Sequence, residues 1–198
     1  MEKTAGSLFF LGGALLWMGI TTAEIFYPAG YSISGSMISN LGATPPPNSL
    51  VFEPSANIFD YSVLLSGVLI LVGALLVYRT KRYKPFALNL GLIGLGTAGV
   101  GMFPAFHLAI HSLSALIAFG SGGVGAIYSG YLFKPPFRNL AIILGTISLV
   151  CLGLGLGDSS LILPLLGKGG TERWVAYPTM IWLIGLGGFL MAGKSQKS

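Results

Sequence analysis

Apolar residues in this chain gather into six long runs, at residues 7–27, 58–78, 86–103, 107–133, 140–157 and 174–192. A helix needs about 20 mostly apolar residues to cross the hydrocarbon layer of a bilayer. Strands of a membrane barrel alternate between apolar and polar positions and do not give continuous runs. The fold class expected is therefore an all-α integral membrane protein, a six-transmembrane-helix bundle forming a single domain over residues 1–198. Only 9% of the residues are charged, against about 25% for a soluble domain, so the bilayer is the first partner. The apolar run near the N-terminus continues past Ala23 without a cleavage motif and reads as a retained first span.

The basic residues set the expected orientation. Lys3, Arg79, Lys81, Arg82, Lys84, Lys134, Arg138, Lys194 and Lys197 fall on one side of a six-span chain, and Lys168 and Arg173 on the other. The positive-inside rule then places both termini in the cytoplasm of a multi-pass cell-membrane protein. The net charge of +5 follows from this topology and does not call for nucleic acid. The opposite side holds a long extracytoplasmic segment at 28–57, a tight turn at "MFPAFH" and a loop at 158–173. Ile33, Met37 and Leu41 stand four apart in "SISGSMISNLG", which fits either a short amphipathic helix ending near Gly42 or an irregular, packed loop.

Five of the six acidic residues, Glu24, Glu53, Asp60, Asp158 and Glu172, map to that opposite half. His107 and His111, the two histidines, start the fourth run there, and Glu172 and Arg173 open the sixth. Ionisable groups in a membrane turn inward and find partners, or reach the headgroup layer. The first alternative predicts a polar chamber opening outward near the outer leaflet. Its candidate lining is His107, His111, Glu172, Arg173, Asp60, Glu24, Ser39, Asn40 and Tyr177, and its ligand a small molecule, a lipid headgroup or a metal-type cofactor. Arg173 would bind an anion, or clamp onto Glu24, Asp60, Glu53 or a lipid phosphate.

His107 and His111 stand one helical turn apart. H-x-x-x-H presents two nitrogens to one metal ion, with Asp60, Glu172 or Glu24 completing the set. Haem is a second option, through one histidine with Met, water or a second copy of the chain, which makes a homo-oligomer a candidate. Either group would make the chain a metal- or haem-dependent enzyme or redox protein. Hydrogen bonds to neighbouring helices, through Ser112, Ser114 or Tyr177, are the structural alternative, consistent with a structural or partner-binding subunit. The glycines of "GLIGLGTAGVG" and "GSGGVG" sit inside spans and suit close helix packing. The lone Cys151 has no disulfide partner.

Four local patterns, "ISNLG" at 38–42, "NIFDYSVLLSG" at 57–67, "GVGMFP" at 99–104 with His107 and His111 beyond it, and "GGTERWVAYPTMIWLIGLGG" at 169–188, resemble the prokaryotic membrane family called domain of unknown function 998. The resemblance implies a membrane fold without an assigned activity. It marks Ser39, Asn40, Gly42, Pro104, His107, His111, Glu172, Arg173, Tyr177 and Pro178 as motif positions. The family pattern favours an acid where this chain has Asn40.

Overall fold

The computed structural model describes residues 2–157 and 159–193. It contains six helices long and apolar enough to cross a membrane: α1 (Glu2–Phe26), α2 (Ser55–Arg79), α3 (Lys84–Met102), α4 (Leu108–Leu132), α5 (Phe137–Leu156) and α6 (Leu163–Ala192). The described residues contain no strand. The chain is built as a multi-pass helical membrane protein. Asp158, Lys194 and Lys197, which entered the charge argument, lie outside the described residues.

Each helix packs on the next in sequence, and α6 returns to α1, so the six form a closed ring. The first turns of α1 lie beside the last turns of α6, where a Cβ on Gly6 would fall 2.7 Å from the carbonyl of Gly187. Glycine also lets α2 and α3 meet at backbone distance, since a Cβ on Gly67 would stand 2.3 Å from the Ala98 nitrogen. The glycine-rich runs act as expected only in part. Gly94, Gly96 and Gly101 face backbone of α2 or α4, whereas Gly91 and Gly120 meet nothing within 4 Å.

The helix α5 is the exception to an even ring. Its buried residues, Ala141, Gly145 and Ser148, all fall within its first twelve positions, and the Ser148 hydroxyl donates to the Val175 carbonyl at 2.8 Å. From Cys151 to Leu156 no residue is buried. This helix therefore packs closely on α4 and α6 as far as Ser148 and more loosely beyond it, where Gly155 still lies against Thr171.

The sixth helix begins earlier than its apolar run. Leu163–Ala192 replaces the expected 174–192, and a break at Gly167 (φ 71°, ψ 175°) divides it. The polar, glycine-rich "GKGG" carries no apolar periodicity, but its glycines fit against the 28–54 connection. Glu172 and Arg173 consequently sit well inside α6 and do not open it. Of the two readings of 33–41, the irregular packed loop is the one found, and the amphipathic helix is not. The structure has turns there and a short 3-10 helix, Ile38–Leu41. Ile33 is exposed and Leu41 fully buried, so the three apolar residues do not share a face.

Candidate functional site

The 28–54 connection folds over one end of the bundle, here called the loop end, and α6 holds it there. Gly169 donates its N–H to the Ser34 carbonyl at 2.8 Å, and Gly170 to the same oxygen at 3.2 Å. A side chain on Gly169 would run into the carbonyls of Ser36 (2.0 Å) and Ile33 (2.6 Å). Arg173 completes the attachment. Its Nη1 donates to the carbonyls of Ile33 (2.8 Å), Ser36 (3.1 Å) and Gly169 (3.1 Å), and its Nη2 to Glu24 (2.5 Å) and the Tyr31 hydroxyl (2.7 Å). Of the partners open to Arg173 in the sequence, Glu24 is the one it takes. A buried guanidinium is tolerable when paired and hydrogen-bonded in this way. Both terminal nitrogens are spent inside the protein, and Nε has no partner.

Next to this clamp, Glu172 turns the other way. Its carboxylate accepts from the N–H groups of Ile38 and Ser39, fixing the 3-10 helix across the end of a central cavity. The cavity has a volume of about 80 Å³ and runs down the bundle from Ser39, His111 and Glu172 to Ile70, Trp182 and Leu183. Glu172 and Trp182 are ten residues apart on α6, a depth of about 15 Å at the helical rise. Helices α1, α2, α3, α4 and α6 wall it, with no residue from α5. The walls are largely apolar, including Phe59, Val63, Phe119 and Met180. An unfilled apolar cavity of this size costs about 2 kcal/mol in lost packing, so an apolar occupant is favoured.

His111 brings directional chemistry to the polar end of the cavity. It is buried, and its Nδ1 lies 2.7 Å from the Phe103 carbonyl. A carbonyl only accepts, so Nδ1 carries the proton and the neutral ring keeps Nε2 as an acceptor. His107 stands elsewhere. It precedes α4 with non-helical dihedrals (φ −89°, ψ 56°), is exposed, and packs its ring on Phe106 and Phe103. The expected stacking of the two imidazoles on one helix face required both residues to be helical, and the turn at Pro104 takes His107. His111 lines the cavity and His107 does not. Among the described residues no three His, Cys, Asp or Glu side chains gather to hold a metal ion.

The other candidates divide between clamp and periphery. Glu24 belongs to the clamp, and Tyr177 packs its ring against Trp17 with centroids 4.7 Å apart. Neither lines the cavity. Asp60 is packed against Gly42, where a Cβ would fall 2.4 Å from its Oδ1, and that oxygen has no hydrogen-bond partner. Asn40 likewise carries an unpartnered Oδ1. The sequence reading missed the apolar wall residues, because a gap among five helices leaves no motif. It also missed Tyr31, whose phenol burial pushes up to about 12 despite the Arg173 charge beside it.

A second cavity of about 470 Å³ opens between α4, α5 and α6, along the less buried half of α5. It shares Ser39, His111, Ala115, Phe119 and Glu172 with the first.

No curated protein and no solved structure matches the chain. Residues 10–188 match the family described as protein of unknown function (DUF998). With nearly its whole length covered, including the clamp and the polar end of the cavity, the chain belongs to that family.

Proposed function

We propose that this protein binds a small amphiphilic ligand in the cavity at the centre of its helix ring. The observation that carries the reading is the pairing of an apolar shaft with a polar end at Ser39, His111 and Glu172. That end is rich in acceptors: a carboxylate with lone pairs to spare and, in the neutral ring, the His111 Nε2. It therefore suits a ligand whose polar end donates, a hydroxyl or an amine, and whose body is apolar. Mostly apolar walls with a few convergent polar groups are the usual make-up of a small-molecule site.

In this reading the loop end faces away from the cytoplasm of a cell membrane, because seven of the nine basic residues among the described residues belong to the other end. Selective labelling of a cysteine placed at Lys168, from outside intact cells, tests that orientation in a background lacking Cys151.

Thermal unfolding in detergent tests the binding. Long-chain alcohols and amines raise the melting temperature of the native protein, and matched methyl ethers, which cannot donate, do so less. Ala118→Leu, which fills the shaft, removes the response. Equal shifts with the ethers, or an undiminished response in Ala118→Leu, would count against the site.

A further inference from the structure

We infer that the ligand is a bilayer phospholipid whose chain enters the central cavity sideways, through the opening between α4, α5 and α6. The inference rests on the binding reading above and adds the ligand class and the route. Three observations converge on it. The 470 Å³ opening lies among three spanning helices and shares Ser39, His111, Ala115, Phe119 and Glu172 with the wall of the central cavity. Its outer flanks are apolar, with Leu116 and Leu156 exposed on the bundle surface. Hydrocarbon chains are what such a surface meets in a membrane.

The third observation is charge. Lys168 lines the same opening, is exposed, and has no ion-pair partner among the described residues. The other cation at the loop end, Arg173, is committed to Glu24. Lys168 and Glu172 are four residues apart on α6, one turn above the other. A cation and a carboxylate at this spacing complement a zwitterionic headgroup, with phosphate on Lys168 and a primary ammonium on Glu172. Choline, which has no N–H, lacks the donor that Glu172 and His111 accept. The geometry points to phosphatidylethanolamine-type lipids over phosphatidylcholine.

Trp182 provides the test, because it is buried in the cavity wall about ten residues along α6 from Glu172. With Trp17→Phe and Trp174→Phe it becomes the sole indole, in vesicles of phosphatidylethanolamine bearing brominated chains. Bromine quenches indole on contact, so Trp182 emission falls only when a chain reaches the shaft. The expected result is strong quenching by brominated phosphatidylethanolamine and weaker quenching by brominated phosphatidylcholine. Ala115→Leu, or the milder Ala115→Val, narrows the junction and reduces it, and Lys168→Gln reduces the preference between the headgroups. The surface indole of a protein retaining Trp174 alone confirms that the bromines reach the helices. Equal quenching by the two lipids would overturn the headgroup assignment. Quenching by a brominated long-chain alcohol but by neither phospholipid would overturn the lipid proposal and leave the binding reading standing. No quenching by any of the three would overturn both.

Discussion

The guanidinium of Arg173 meets the carboxylate of Glu24 at 2.5 Å, across 149 residues of sequence. This pair joins α6 to α1 and, through the same guanidinium, carries the backbone of Ile33 and Ser36. Removing one partner of a buried pair leaves the other charge uncompensated, at a cost of about 3–5 kcal/mol. Glu24→Ala is expected to destabilise within that range, at its lower end because Glu24 keeps some exposure. A double-mutant cycle with Arg173→Ala, read by denaturant unfolding in detergent, measures the coupling. A coupling near zero would remove the clamp from the account.

The close fit of α6 against the loop predicts a sharp contrast between two glycines. Gly169→Ala pushes a methyl into two carbonyl oxygens of the backbone and should cost about 1–3 kcal/mol, the range of overpacking strain. It should also speed proteolysis within 31–37. Gly188 has nothing within 4 Å of its Cβ position, and Gly188→Ala gains up to about 1 kcal/mol from helix propensity. Equal effects of the two substitutions would contradict the packing described.

The two histidines should separate cleanly in mutagenesis. His111→Ala loses the bond to the Phe103 carbonyl, worth about 1 kcal/mol, and weakens ligand binding as well. His107→Ala, at an exposed position, should stay within about 0.5 kcal/mol of the native protein. Added zinc should leave the melting temperature of the native protein unmoved. A zinc-dependent rise lost in His107→Ala would restore a shared metal site.

Tyr31 gives a prediction in pH. Its folded pKa, about 12, lies above the ordinary 10, so folding favours the neutral phenol. That contribution is complete below pH 10 and is lost as the pH rises towards 12. Absorbance titration of the native protein against Tyr31→Phe should show one phenol missing from the late part of the curve. Tyr31→Phe should also lose less stability than the native protein between pH 10 and 12.

How much of this was legible in the sequence depends on the length scale of the signal. The six spans were legible because each needs about 20 apolar residues, and no other fold uses such runs. The start of α6 was not, because Gly167, Lys168, Gly169 and Gly170 are selected by the loop they touch. Arg173 advertised itself as a cation with few acids to choose from, and Glu24 was among them. His107 misled because its spacing from His111 implies a shared face only if the helix includes both. Asp60, expected in a polar chamber, is packed on Gly42. The cavity itself was out of reach, since it arises from how five helices fail to fill their centre.

Whether the centre of the bundle holds a ligand is read by native mass spectrometry of the protein released from gentle detergent. The expected result is a bound amphiphile of defined mass on the native protein, absent from Ala118→Leu and depleted in His111→Ala. A native protein that carries no adduct, or one retained equally by Ala118→Leu, would contradict it.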